Sequence, residues 1–534
     1  KRPRPPDEGG TGFYSDNNGG AAIYAGTASN LSNVEFSFLN CTFTNCKASK
    51  QGGALFLETH KTITIENCEF SDLELSDDPN QGQAIYIKSL SPNQIIVITN
   101  CSFTDDPVKK YNIYLEGDNY GNFLISNCQF PITKDGSAGY EIYVGQVQSF
   151  ECRSTEFSST ANNNYISAIN IGTNNGINGG IFNSVFRNLN GDPYTHSSDK
   201  YKPAPTTTRL INYDTENLPS STQLFQIDGC KFDDCKTMAF KFFCHHPLEI
   251  HNTTFNSFSA NKAFYISLET ASDLDHPLNS ITISSCTFKS ITLSQNDGFF
   301  VCKKVGADYQ PLTVKFVDCI WEEISGGQSY LIDSIESQDQ NKNQYQFDNC
   351  NFSNIGVSTT ILNLDNSPSF ENCKFEQNTQ LTLIINFKSS PAANCESCIF
   401  TSNTVLGSIM KFEETSEISL STCQFNDNQA QTTILDISQV SKLNLIGCSF
   451  DNTVDGTNRI ADAFTCEFKG DPEALVIRNC LFTTQKNSIS VPCFKIINSP
   501  SDVTFERNSL TNYKMAGSYS IVISATAGAG SLIL

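Results

Sequence analysis

Ile63-Thr64-Ile65-Glu66-Asn67-Cys68-Glu69-Phe70 holds one complete unit of the pattern that decides the fold. Ile63 and Ile65 alternate with polar residues, the period-two signature of a half-buried strand. At Cys68 the apolar parity slips by one, and Phe70 follows two residues later. A slip of phase demands a bend at Asn67, and Asn and Gly accept a left-handed backbone most readily. The same step recurs at Leu475, Ile477, Asn479 and at Leu248, Ile250, Asn252.

Seventeen segments align on this pattern, with Cys or a small residue two positions before an aromatic. The Cys slot holds Cys41, Cys68, Cys101, Cys128, Cys230, Cys286, Cys319, Cys350, Cys373, Cys398, Cys423, Cys448 and Cys480. The aromatic slot holds Phe43, Phe70, Phe103, Phe130, Phe232, Phe288, Phe352, Phe375, Phe400, Phe425, Phe450 and Phe482. Weaker copies centre on Phe157, Phe186 and Phe255, and Trp321 and Leu510 stand in for Phe. From Phe375 to Phe450 the spacing is 25 each time; elsewhere it is mostly 23 to 33, with one step of 46 between Phe186 and Phe232. A constant unit with variable inserts is what a solenoid with loops produces.

A third apolar run follows in each unit, as in Ala54-Leu55-Phe56-Leu57 and Ile434-Leu435-Asp436-Ile437. Three strands and three bends in about 25 residues leave no room for crossover helices, which need a dozen residues or more. Each strand must therefore pair with its counterpart one coil later. The prediction is all-β: a right-handed, single-stranded, pectin-lyase-like parallel β-helix of about seventeen coils with three short parallel sheets. It divides into a Pro-rich tail over 1–10, the β-helix over 11–519, and a final strand or apolar tail over 520–534. Stacking makes the Phe slots an aromatic ladder and the Cys slots a ladder of small apolar groups, since free Cys packs as a small hydrophobe.

Composition fits this reading. The 534 residues include 39 Phe but 3 Met and 1 Trp, as expected if one core slot is reused. Net charge is −21, with no basic stripe, so nucleic acid is excluded as the natural partner. No run of 18 apolar residues offers a membrane span. The opening Lys-Arg-Pro-Arg-Pro-Pro lacks a leader sequence and reads as a mature or trimmed product.

Candidate chemistry is sparse. The acidic pairs Asp77-Asp78, Asp105-Asp106, Asp233-Asp234 and Glu322-Glu323 fall at bends after the Phe, and read as solvated turns. No cofactor is expected beyond weak Ca2+ binding at Asp105-Asp106, which lacks a recognised calcium-loop spacing. Cys244-His245-His246 with His251, Cys230 and Cys235 is zinc-like in residue type, but His251 faces out and Cys230 in, so no metal site is assigned. The lone pair Cys395 and Cys398 reads as structural. Cys466 and Cys493, in third strands of consecutive coils, form the candidate disulfide. Five Asn-x-Ser/Thr sites, Asn30, Asn40, Asn100, Asn252 and Asn351, are glycosylation candidates, four of them read as repeat bends. The longest insert, 190–208, carries Tyr194, His196 and Tyr201 as a candidate binding loop.

Gly19-Gly20-Ala21-Ala22-Ile23 and Gly52-Gly53-Ala54-Leu55 resemble the GGA[ILV] element of chlamydial polymorphic outer-membrane proteins. Phe375 to Asn378, Phe400 to Asn403 and Phe425 to Asn428 match the FxxN partner of that element. The Cys/Asn-rich style is closest to similar β-helical surface proteins of trichomonad protists. GGA is lost after residue 54, and Cys46 and Cys235 replace the Asn of FxxN. The resemblance implies an extracellular or cell-surface protein that acts in adhesion or as a display scaffold, without enzymatic turnover. Its partner would be a protein or glycan ligand, or another copy joined end to end into a filament. The alternative is a polysaccharide lyase or hydrolase, which needs a line of outward acidic and basic residues on adjacent coils; the repeat pattern displays none.

Overall fold

The computed structural model describes residues 14–15, 22–26, 34–48, 51–75, 82–104, 108–118, 120–133, 138–161, 165–172, 177–189, 209–214, 224–236, 238–243, 247–257, 259–260 and 264–269. It also describes 280–293, 300–305, 313–326, 330–333, 343–357, 360–452, 462–468, 473–484, 494–500, 502–511, 521–525 and 531–533. Two compact units emerge, Lys1–Leu278 with Cys302–Gly306, and Asn279–Val301 with Ala307–Leu534. The described residues of each are strands and bends, and each unit is a parallel β-helix.

In the first unit, the strands leading to the Asn bend form sheet one. Phe36–Leu39, Ile63–Glu66, Ile95–Thr99, Asn122–Ser126, Ser149–Arg153, Asn178–Phe182, Phe225–Asp228 and Leu248–His251 each pair in parallel with the next. Sheet two carries the Phe slot, with Phe43 opposite Phe70 and Phe70 opposite Phe103. Sheet three runs through Leu55–Thr59, Ile85–Ser89, Val108–Glu116, Ala138–Val144, Tyr165–Gly172 and Arg209–Asp214. From Phe43 to Phe255 the eight rings of the Phe slot stack at 4.5 to 5.1 Å between centroids. Phe186 and Phe232 are 4.5 Å apart, so the step of 46 residues is one coil carrying an insert.

The second unit repeats the plan. Phe288, Trp321, Phe352, Phe375, Phe400, Phe425, Phe450 and Phe482 stack at 4.5 to 5.2 Å, and Leu510 is paired in register with Phe482. The spacing is the strand separation of a sheet, because each ring belongs to the next strand. Trp321 fills its slot without breaking the column, since its indole lies parallel to Phe352 at an interplanar angle of 2°.

The predicted bends are left-handed. Asn40, Asn67, Asn100 and Asn127 have φ between 52° and 54°, and Gly229 and Gly447 have φ of 65°. Ser285, Asp318, Ser397, Thr422 and Arg507 adopt the same conformation, so the corner is imposed by pairing on both sides even where the residue does not favour it. A second row of left-handed corners follows the Phe strand, at Asn45, Asp72, Asp234, Glu323, Gln377 and Asp427 among others. The acidic residues Asp234 and Glu323 are thus corner residues.

The thiols line the interior beside the Phe column. Each described Cys of the ladder is buried except Cys41, which is half-exposed. Their Sγ–H groups donate to backbone carbonyls, two residues back and one coil back: Cys350 to Asp348 O and Phe316 O, Cys448 to Ile446 O and Leu420 O. Burial pushes the Cys68 thiol up to about 11 and those of Cys152, Cys230 and Cys235 up to about 12. Cys466 carries a free thiol, and its register partner in the next coil is Ile496. That register corrects the expectation that Cys466 stacks over position 493; Cys493 itself lies outside the described residues.

Candidate functional site

On sheet one of the first unit, side chains alternate between the core and the outer face. Phe150 and Cys152 point in while Ser149, Glu151 and Arg153 point out. Register then aligns outward rows across successive coils. Glu151 is paired with Gly180 and Gly180 with Gln226, which is paired with Glu249. A parallel row runs from Arg153 to Phe182, Asp228 and His251. Charged groups occupy the outer face at Glu151 and Arg153 and again at Asp228, Glu249 and His251, while Gly180 and Phe182 interrupt both rows between them. The sequence hid this arrangement because the coils around Phe157 and Phe186 carry the weakest signatures and a long insert separates Phe182 from Gln226.

Between these rows lies an open cleft of about 440 Å³. Its walls are Asn122, Gln148, Ser149, Glu151, Arg153, Asn178, Phe182, Leu224 and Gln226. Gly179 also lines it, with Gly180 buried beside it. A Cβ on Gly179, which has φ of 132°, would sit 2.1 Å from Phe150 O, and one on Gly180 would sit 2.0 Å from Gln226 O. Only glycine lets the middle coil approach both neighbours this closely.

The polar groups hold one another in place. Arg153 Nε donates to Glu151 Oε2 at 2.7 Å, and its guanidinium carbon lies 4.3 Å from the centre of the Phe182 ring. Ser149 Oγ donates to Asn122 Oδ1 at 2.6 Å. One coil past the cleft, Glu249 accepts from Gln226 Nε2 at 2.9 Å and lies 3.2 Å from His251 Nε2. The Gln226 hydrogen bond and then the His251 contact hold the Glu249 carboxyl below the usual range. Asn252 Nδ2 donates to Asp228 Oδ1 at 2.8 Å. The arrangement offers neutral hydrogen-bonding groups, one aromatic ring and a fixed cation to a polar ligand.

The remaining sequence candidates are placed as follows. Asn40, Asn100 and Asn252 are exposed corner residues. Asn351 is instead a strand residue, paired with Ile320 and Lys374, because the corner of its coil is Asn349. Cys230 is buried and donates to Ile181 O and Asp228 O, whereas His251 is on the outer face. Cys395 and Cys398 are buried free thiols on either side of the Ser397 corner. Asn30, Asp77, Asp78, Asp105, Asp106, Tyr194, His196, Tyr201, Cys244, His245 and His246 lie outside the described residues. Asn378, Asn403 and Asn428, quoted as motif residues, form a buried hydrogen-bonded ladder in the second unit: Asn378 Nδ2 donates to Asn403 Oδ1 and Asn403 Nδ2 to Asn428 Oδ1, each at 2.9 Å, and Asn428 Nδ2 donates to Phe400 O at 2.8 Å.

No protein-family model matches the chain. A segment of 181 residues is 28% identical to metabotropic glutamate receptor-like protein P of Dictyostelium discoideum, covering 34% of this chain and 11% of that protein. The match thus spans little more than a tenth of that relative's length. Among solved structures, tailspike protein 3 of bacteriophage CBA120 is similar at 9% identity and a TM-score of 0.26, over 82% of this chain and 57% of that one. The periplasmic alginate epimerase AlgG is similar at 9% identity and a TM-score of 0.24, over 72% of this chain and 77% of that one.

Proposed function

We propose that this protein is a non-enzymatic β-helical display scaffold, outside the cell or on its surface, that binds a glycan in the cleft on sheet one of the first unit. The observation that carries the reading is the cleft itself. Amides, the Ser149 hydroxyl and the Phe182 ring surround it, which suits a ligand rich in hydroxyls. Rigid outer faces of this kind present a surface without needing to move. The resemblance to polymorphic outer-membrane proteins supports placement at a surface.

A second reading, a carbohydrate-active enzyme, is favoured by the outward carboxylates Glu151 and Glu249 in one row and Asp228 in the row beside it. Glycoside hydrolysis needs a carboxylic acid that is still protonated near neutral pH, so its pKa must be raised. Glu249 is shifted the other way, and Glu151 is tied to Arg153. Binding is therefore preferred over turnover.

A glycan array probed with the purified chain tests both. The scaffold reading expects binding that falls about tenfold in the double variant Asn178→Ala, Gln226→Ala, with no shortened or unsaturated product after prolonged incubation. Product formation that stops in Glu249→Gln would replace it with the enzyme reading. Absence of binding to any glycan would end it.

A further inference from the structure

Resting on the glycan-binding reading, we infer that the ligand carries a carboxylate and that the Arg153 guanidinium is its receptor. Arg153 is held from two sides. Its Nε is engaged by Glu151 at 2.7 Å and its flat face by Phe182 at 4.3 Å. Neither Nη amino group has a hydrogen-bond partner among the described residues, and the side chain is 45% exposed. A planar fork with Nε engaged and both Nη groups free is prepared for a carboxylate approaching end-on, accepting two parallel hydrogen bonds.

Arg187, in the next coil of the same unit, shows the contrast. Its Nη1 lies 3.6 Å from Glu156 and its Nη2 4.0 Å from Asp233, so its fork already faces protein carboxylates. Lysine would not substitute at position 153, because an ammonium has neither the stacking face nor the paired donors. The surroundings sharpen the choice. The chain carries a net charge of −21, which disfavours anions over most of its surface, so an anionic sugar gains only where a prepared cation meets it. Ser149, Asn122, Asn178 and Gln226 around the same cleft supply partners for the hydroxyls of the ring that bears the acid. Glu151 fixes the guanidinium and is a positioning residue.

The test is calorimetric titration of the full chain with three probes: an oligogalacturonate, a neutral cello-oligosaccharide and a sulfated heparin oligosaccharide. The proposal expects the oligogalacturonate to bind most tightly and to weaken as salt is raised. The ratio of oligogalacturonate to cello-oligosaccharide affinity should fall by about 10- to 100-fold in Arg153→Gln, the usual effect of losing a charge-assisted pair. Arg153→Lys should recover only a small part, and Phe182→Leu should lower the same ratio less. Thermal midpoints within a few degrees of the parent chain check that the exposed substitutions leave the fold intact. An unchanged ratio in Arg153→Gln overturns the inference, as does equal binding of the sulfated probe. If the neutral probe binds and responds to Asn178→Ala while the ratio does not move, the cleft remains a glycan site and only the carboxylate assignment fails. If no probe binds, the glycan reading falls as well.

Discussion

Asn372 has φ of 53° at the corner before Cys373, and its amide nitrogen donates to Glu396 O one coil on. Replacement by alanine keeps the backbone hydrogen bond but removes the short polar side chain that lets asparagine hold a left-handed backbone, which costs about 1 kcal/mol. Asn372→Gly should be nearly neutral; urea denaturation of the two variants reads the difference. Asn403 poses a different problem. It is buried, donates to Phe375 O at 2.9 Å and to Asn428 Oδ1 at 2.9 Å, and accepts from Asn378. Asn403→Ala orphans several buried groups at once and should destabilise by roughly 3 kcal/mol or more, read from the denaturation midpoint. At this scale the sequence was uneven as a guide. Asn67 announced its corner because asparagine tolerates it. Gln377 and Arg507 occupy equal corners with no residue preference to reveal them. Asn378, Asn403 and Asn428 were visible as a motif, but a buried amide ladder follows only from the register that stacks them.

Ladders are the elements that stabilise each unit. Phe400 lies 4.8 Å from Phe375 and 4.9 Å from Phe425, with nearly parallel rings. Phe400→Ala should cost about 3–5 kcal/mol through lost burial and the cavity it leaves. It should also loosen both neighbouring coils, which hydrogen exchange at their amides would register. Three buried thiols give a pH signature. Unfolded thiols ionise near 9.0, whereas Cys152, Cys230 and Cys235 in the fold do so only at about 12, because burial penalises the thiolate. Above pH 9 the unfolded chain therefore binds fewer protons than the fold, and stability falls as pH rises from about 9 toward 12, while remaining intact below 9. Denaturation midpoints measured across that range should decline, and Cys→Ser exchange at Cys230 should soften the decline. The same burial predicts that a thiol reagent at pH 8 labels almost none of the described cysteines until denaturant is added. The Phe and Cys ladders were legible in the sequence because one residue type recurs at one slot. The cleft was not, because Glu151, Gly180 and Gln226 share no residue type and become neighbours only through pairing across an insert.

Across the molecule, composition follows from repetition. A core slot reused coil after coil explains the excess of Phe, 39 beside 1 Trp, and a small inward slot holds 13 of the 21 Cys. The proposed glycan binding draws instead on the outward rows that repetition leaves variable. Glycan binding is accordingly expected to be sensitive to Arg153, Asn178 and Gln226 and indifferent to conservative exchanges along the ladders. The central claim is that successive coils lay matching side chains over one another. An experimental crystal structure tests it most directly. The account predicts Phe375, Phe400 and Phe425 as one column, with centroids 4.8 and 4.9 Å apart and strands in parallel register. Finding those three rings in separate packing environments, on strands that do not pair, would contradict it.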